Sequence, residues 1–424
     1  MAGMRIHRLG GPGARAVAVL LMLLAGPLAP RAAGAQGLGW GNPLRQLLRR
    51  DTAGLGRVLA HPAAYRVQIL YTRIRRDARG RAHFRRYGYR LRPREYFYPA
   101  STVKLPTAAL ALARLRALGP QVPGLTADSP MLTDSAFAGQ TRVLRDSSSA
   151  SGRPTVANYV RKALLVSDND AYNRLYELVG PGALQAGLRQ LGLRRTRIAG
   201  RLAVGDVPPG TRHTNPVSFY ADTAARRLLY HQPAAYWPGP GPHWHLRGTA
   251  IGQAHVVGTA VVPGPLDLSQ KNVFPLRDQQ WVLRAVLFPE TLPARRRLAL
   301  APADYGLLRT AMGEAPAASP HPRYDAAHYP ATYAKFLLGG GGQAALPPGV
   351  QVFNKIGQSY GFLIDNAYVT DAAQGVEFLL SAVVYVNADG VLNDDRYEYD
   401  AIGFPFLREL GRRVYEAECR RKRP

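Results

Sequence analysis

The sequence predicts a mixed α/β (α+β) fold in which segments from the two ends of the chain build one sheet and a helical subdomain is inserted between them. Three observations predict it. Runs rich in β-branched and aromatic residues lie before residue 92 and after residue 349. Between them apolar residues recur at spacings of three and four. The 424 residues are 46% hydrophobic, which is enough apolar mass to bury a large core.

Taken in chain order, Arg5, Arg8 and Arg15 precede an apolar run from Ala16 to Ala25, and Ala33 and Ala35 frame a cleavage site before Gln36. Residues 1–35 therefore read as a signal peptide, which places the mature protein in the periplasm or outside the cell. The apolar run is too short to remain as a membrane span. Residues 36–60 read as a linker with some helix, residues 61–410 as the main domain with a helical subdomain at about 105–340, and 411–424 as a basic tail. Tyr65–Ile74 and His83–Leu91, separated by Asp77 to Gly80, read as a hairpin. From Ser101 the pattern is helical: Leu105, Ala108, Ala109, Leu112, Leu115 and Leu118 share a face, Pro106 sits in the first turn, and Gly119-Pro120 stops the run. Thr155 caps a second helix that runs to Val166, and a third runs from near Asp170 to Gly180-Pro181. Pro/Gly clusters such as WPGPGPHW blur the pattern between His231 and Gly342, which reads as an insertion or elaborated helical region. Strands return at Val350–Asn354, Gly361–Val369 and Val376–Val386, and a helix from Phe404 to Cys419 follows.

The formal charge of +27 would suit nucleic acid, but the arginines are scattered and no nucleic-acid motif accompanies them. An anionic cell-envelope surface is the expected partner for that charge. One cysteine, Cys419, leaves no internal disulfide and no thiol-based metal site. His243 and His245 lie in a Trp/Pro-rich stretch without nearby acids, so no metal site is expected there.

Three short motifs carry chemistry. Ser101-Thr102-Val103-Lys104 puts a hydroxyl and an amine on one face at a helix start, where a lysine of lowered pKa can take the serine's proton. Chance supplies about 0.2 such matches in a chain of this composition, so it is suggestive alone. Ser167-Asp168-Asn169 lies between two predicted helices and is expected by chance about 0.01 to 0.02 times; a polar capping loop is the plainer use of such residues. Lys355-Ile356-Gly357 sits on a predicted strand, where glycine allows close backbone approach and lysine neutralises a carboxylate.

In this order and on these elements the motifs resemble those of the class A β-lactamases and penicillin-binding proteins. The resemblance spans about Tyr65 to Leu410 in organisation, and the chain looks more like the exported β-lactamase-related hydrolases than like a resistance enzyme. It implies an antiparallel five-stranded sheet flanked by helices, with the active site between sheet and helical subdomain. It implies that Ser101 attacks a carbonyl, Lys104 accepts its proton and Ser167 relays a proton to the leaving nitrogen. Asn169, Lys355 and Gly357 would hold substrate, and the backbone N–H groups of Ser101 and Gln358 would form the oxyanion hole. No metal or organic cofactor is required.

Two departures qualify the expected function. Class A β-lactamases use a loop glutamate to activate the deacylating water, and here no glutamate occurs between Glu177 and Glu290. The position that should hold it reads Gly200-Arg201, and Asp206 is the one carboxylate in the following segment. Ile356 stands where a serine or threonine would bind a substrate carboxylate, with Ser359 and Tyr360 as possible replacements. The expectation is an exported serine hydrolase that forms an acyl-enzyme on Ser101 with β-lactams or related amides and esters and hydrolyses β-lactams slowly. A penicillin-binding D,D-peptidase or esterase of envelope peptides is the alternative within the same chemistry. A non-catalytic envelope-binding module is a third, disfavoured by the presence of every motif serine and lysine.

Overall fold

The structure is a computed structural model and describes residues 41–50, 54–204, 210–239 and 245–421. The expected signal segment with its cleavage after Ala35, the start of the 36–60 linker, Asp206, His243 and the last three residues of the tail lie outside the described residues.

Five strands form one antiparallel sheet: β1 (Gln68–Arg76), β2 (Ala82–Tyr89), β3 (Val350–Ser359), β4 (Phe362–Asp371) and β5 (Val376–Tyr385). Their spatial order is β3-β4-β5-β1-β2. The sheet is closed across the whole intervening chain, because β1 pairs with β5 in a register that sets Gln68 opposite Val383.

Both faces are covered, so the inner strands read as nearly continuous apolar runs rather than as an alternation with polar residues. Phe362 and Ile364 of β4 and Leu379 and Val383 of β5 enter the core shared with the central helices. Leu363, Leu380 and Val384 point the other way, into a second core. That second core is completed by α1 (Pro43–Arg50) and by the C-terminal helix Phe404–Cys419, through Leu44, Leu48, Phe406, Leu407, Leu410 and Val414.

On the first face lie α2 (Lys104–Leu118), α3 (Val156–Leu165), α4 (Asn169–Val179), α5 (Pro181–Gln190), α6 (Leu276–Leu287) and α7 (Pro302–Gly313). The Phe404–Cys419 helix is α8. α2 buries ten of its fifteen residues and turns only its last turn, at Arg116 and Ala117, to solvent, which makes it the helix around which the others pack. It begins at Lys104 rather than Ser101, after a 3₁₀ turn over Ala100–Val103. Pro106 explains the delay: it has no N–H to give the Thr102 carbonyl, so the α-helical pattern cannot include that residue.

The stretch from 231 to 342 departs from a purely helical elaboration. It contributes α6 and α7, but first lays down short strands. Leu228–Gln232 pairs with Val217–Tyr220, and a hairpin of Ala254–Val257 with Ala260–Pro263 pairs in parallel with Val391–Leu392. The signal for this hairpin is the run His255-Val256-Val257-Gly258-Thr259-Ala260-Val261-Val262, two β-branched segments about a glycine turn. Among the described residues no helix is long and apolar enough to cross a membrane.

Candidate active site

The 3₁₀ turn carrying Ser101 is held tightly. The Thr102 N–H and hydroxyl both donate to the Pro99 carbonyl, at 3.1 and 2.7 Å, and Ala100 takes a φ of 47°, unusual for a residue with a Cβ. Strand β3 runs against this turn at Gly357. A Cβ there would stand 2.7 Å from the Pro99 carbonyl oxygen and 3.1 Å from Thr102 Cγ2, so only glycine permits the approach.

Lys104, one turn beyond Ser101, is fully buried. Its ammonium donates to the Ser167 carbonyl, to Ser167 Oγ at 3.2 Å and to Asn169 Oδ1 at 2.7 Å. Ser167 and Asn169 reach it because Asp168 caps α4, its carboxylate accepting the Ala171 N–H at 2.7 Å, while Ser167 turns the chain in the left-handed region at φ 63°. From the other side Lys355 Nζ donates to the same Ser167 hydroxyl at 2.8 Å. One serine oxygen thus bridges two lysines that are 251 residues apart in the chain.

Burial lowers the Lys104 ammonium to about 7, opposed by Asp168. Lys355 is driven well below the ordinary lysine value, by burial first and then by the like charge of Lys104, with Asp365 opposing. A third buried lysine backs this pair. Lys335 Nζ donates to the Met312 carbonyl and to Asn354 Oδ1 at 2.8 Å, and Asn354 Nδ2 donates to Asp365 Oδ1 at 2.7 Å. Burial lowers Lys335 to about 8 and raises the Asp365 carboxyl to about 6. Lys335, Asn354 and Asp365 are absent from the sequence motifs. One signal points to Lys335: lysine is rare among the 55 basic residues, and Lys104, Lys335 and Lys355 are all buried in this one region. In so arginine-rich a chain, a lysine marks a place where an amine able to lose its proton is useful.

Ser101, Ser167, Asn169, Ile356 and Gln358 all line one cleft of about 670 Å³. The predicted residues Ser101, Lys104, Ser167, Asn169, Lys355, Gly357 and Gln358 therefore assemble at a single place, with Gly357 beneath the Ser101 turn rather than on the cleft wall. Ser359 and Tyr360 line the cleft as well. The wall that follows Gly200-Arg201 presents Leu202 and Ala203 to the cleft. This wall is pinned from behind: Asn173 exchanges two hydrogen bonds with the Leu202 backbone, at 2.8 and 3.0 Å. Glu177 does not reach the cleft. Its buried carboxylate takes the Arg201 guanidinium and the Asn215 N–H, and burial raises its pKa. Asp395 is the one acidic residue on the cleft wall among the described residues. Among the described residues no group of three or more His, Cys, Asp or Glu is placed to hold a metal ion.

Residues 80–228 match the model of the beta-lactamase enzyme family. Among solved structures, the chain is similar to a beta-lactamase from Xanthomonas campestris pv. campestris, at 18% identity over 88% of this chain and 96% of that chain, with a TM-score of 0.47. It is similar to the beta-lactamase of Streptomyces albus G, at 17% identity over 88% and 99% of the two chains, TM-score 0.44. It is also similar to PBP-A, at 15% identity over 89% and 96%, TM-score 0.45. No curated protein sequence matches the chain.

Proposed function

We propose that this chain, whose residues 80–228 match the model of the beta-lactamase enzyme family, is a serine hydrolase that acylates readily on Ser101 and releases the acyl group slowly. Its substrates are β-lactams and the amide or ester bonds of envelope peptides. The observation that carries the proposal is the Ser167 hydroxyl held between Lys104 and Lys355 at 3.2 and 2.8 Å, on the cleft that Ser101 lines.

In the proposed reaction Ser101 Oγ attacks the carbonyl carbon while its proton passes to neutral Lys104. The oxyanion is met by the backbone N–H groups of Ser101 and Gln358. The bond to the leaving nitrogen or oxygen then breaks, and that atom receives a proton through the Ser167 hydroxyl, resupplied by a lysine. Lys104 suits the first step because its amine titrates near neutrality, where a base is most effective. Asn169 both fixes Lys104 through Oδ1 and offers its amide N–H₂ to the substrate. Lys355 supplies positive potential for an anionic substrate group.

Slow release follows from the wall of the cleft. Among the described residues, Leu202 and Ala203 offer no group to deprotonate water where the family's loop glutamate would stand, Asp168 is engaged as a helix cap and Glu177 with Arg201, and the one acid on the cleft, Asp395, comes from the separate stretch after β5. This favours a penicillin-binding D,D-peptidase or esterase over an efficient lactamase. The 1–35 segment supports export to the periplasm or beyond, where envelope peptides and anionic surfaces are met.

Intact-mass spectrometry over time with a penicillin tests the proposal. The wild type is expected to gain one penicillin mass and keep it long after excess drug is removed, while Ser101→Ala gains none. An adduct of equal yield on Ser101→Ala overturns the nucleophile, and rapid return of free enzyme overturns slow release.

A further inference from the structure

The cleft differs in chemistry from one wall to the other. Lys104 and Lys355 stand behind the Ser167 hydroxyl that lines it, whereas Asn393, Asp395, Tyr397 and Tyr399 line it together with Tyr98, Tyr333 and Tyr360. Five tyrosines line it in all: Tyr98, Tyr333, Tyr360, Tyr397 and Tyr399. They are ordered by their own contacts. The Tyr98 and Tyr360 rings meet edge to face at 5.0 Å, and those of Tyr397 and Tyr399 lie 5.1 Å apart. The Tyr399 hydroxyl accepts the Gly361 N–H at 2.9 Å, and the Tyr397 hydroxyl accepts the Asn393 N–H at 2.8 Å.

In a chain of net charge +27, residues 389–400 hold five acids and one arginine. Four of the five are used within the structure. Asp389 accepts the Val391 N–H, Asp394 the Arg396 N–H, Glu398 the Ala388 N–H and Asp400 the Gln343 amide. Asp395 is exposed on the cleft wall, and its carboxylate has no hydrogen bond or ion pair among the described residues. No arginine lines the cleft among the described residues, and Ile356 offers no hydroxyl to an anionic group.

We propose that the Asp395 rim with its tyrosines is a subsite for a cationic group of the substrate, an ammonium carried on the acyl donor away from the scissile bond. The carboxylate supplies the opposite charge and the tyrosine faces supply cation–π attraction, which together select an ammonium over an apolar or anionic side chain. The inference rests on the acyl-serine reading above and adds the class of acyl donor.

The test uses the full chain and three thioester peptides matched in length, carrying lysine, norleucine or glutamate on the acyl side, with thiol release as the readout. Wild type is expected to favour lysine over norleucine by about three- to tenfold at low salt and to disfavour glutamate, with the preference shrinking at high salt. Asp395→Asn is expected to bring the lysine-to-norleucine ratio close to one. Asp395→Lys is expected to favour glutamate, a gain that a misfolded variant cannot produce. Equal rates for lysine and norleucine in wild type, or a lysine preference that survives Asp395→Asn, overturn the subsite while a penicillin adduct on wild type leaves the acyl-serine reading standing. If wild type releases no thiol from any peptide and forms no penicillin adduct, both fall.

Discussion

Lys104 is useful as a lysine because it is buried without a carboxylate in direct contact. Its three hydrogen-bond partners are a carbonyl, a hydroxyl and an amide oxygen, all neutral, so nothing in contact offsets the loss of water around the charge. With the amine titrating at about 7, the unprotonated fraction rises as pH passes that value. The acylation rate with penicillin should therefore climb from pH 5 to 7 and level above 8, and a stopped-flow profile flat across that range would remove Lys104 as the base. Lys104→Ala should lower the rate by about 10²- to 10⁴-fold, the usual range for a general base. Ser101 and Lys104 were legible in the sequence because three residues on a helical turn are a local relation. Lys335, Asp365 and Asp395 were not, because nothing in the neighbouring sequence tells that Lys335 will meet Asn354 or that Asp395 will face a cleft opened by Ser101.

Among the elements, the contact of β3 with the Ser101 turn sets the spacing of the site. Gly357 faces a backbone oxygen, which cannot swing aside as a side chain would. Gly357→Ala should part the strand from the turn, cost about 1–3 kcal/mol in the manner of an overpacked core, and lose most of the acylation rate. Denaturant melts and penicillin labelling of the same preparation check the two halves, and a variant that labels at the wild-type rate would show that the contact is not needed. The wall at Leu202 depends on a different tie, the Arg201–Glu177 pair, in which Glu177 is 1% exposed. Arg201→Ala strands that carboxylate and should cost about 3–5 kcal/mol, read as a lower midpoint in urea. The strands and helices themselves were largely legible, since their periodicity is local and strong. The Ala254–Pro263 hairpin was not, because proline and glycine clusters around it mask two short β-branched runs that gain stability only by pairing with Val391–Leu392.

At the scale of the whole molecule, the sheet that joins β1 to β5 helps to bury three lysines against few carboxylates, Asp168 for Lys104 and Asp365 for Lys335 and Lys355, and this gives stability a distinctive dependence on pH. An unfolded lysine titrates near 10.4. In the folded protein Lys104 and Lys335 titrate at about 7 and 8, and Lys355 well below the ordinary value. Between about pH 7 and 10 the unfolded chain therefore binds more protons than the folded one, and stability rises with pH in that window. The penalty of burying charged amines is complete below the folded values and is relieved as pH climbs toward the unfolded one. Above about pH 10 the sign reverses. Burial holds Tyr96, Tyr98 and Tyr172 above the ordinary tyrosine value, so the folded state keeps protons that the unfolded chain loses. Asp365, raised to about 6, gives a smaller fall in stability as pH passes from about 4 to 6. The arginines that carry most of the +27 charge stay protonated throughout this range, so their mutual repulsion contributes no slope. Calorimetry should find the melting temperature rising from pH 7 to a maximum near 9.5–10, and Lys335→Met should flatten that rise by removing one of its three titrating amines. A melting temperature that falls steadily from pH 7 to 9.5 would mean that the lysines keep their protons in the folded state, and the neutral amine on which acylation by Ser101 depends would go with it.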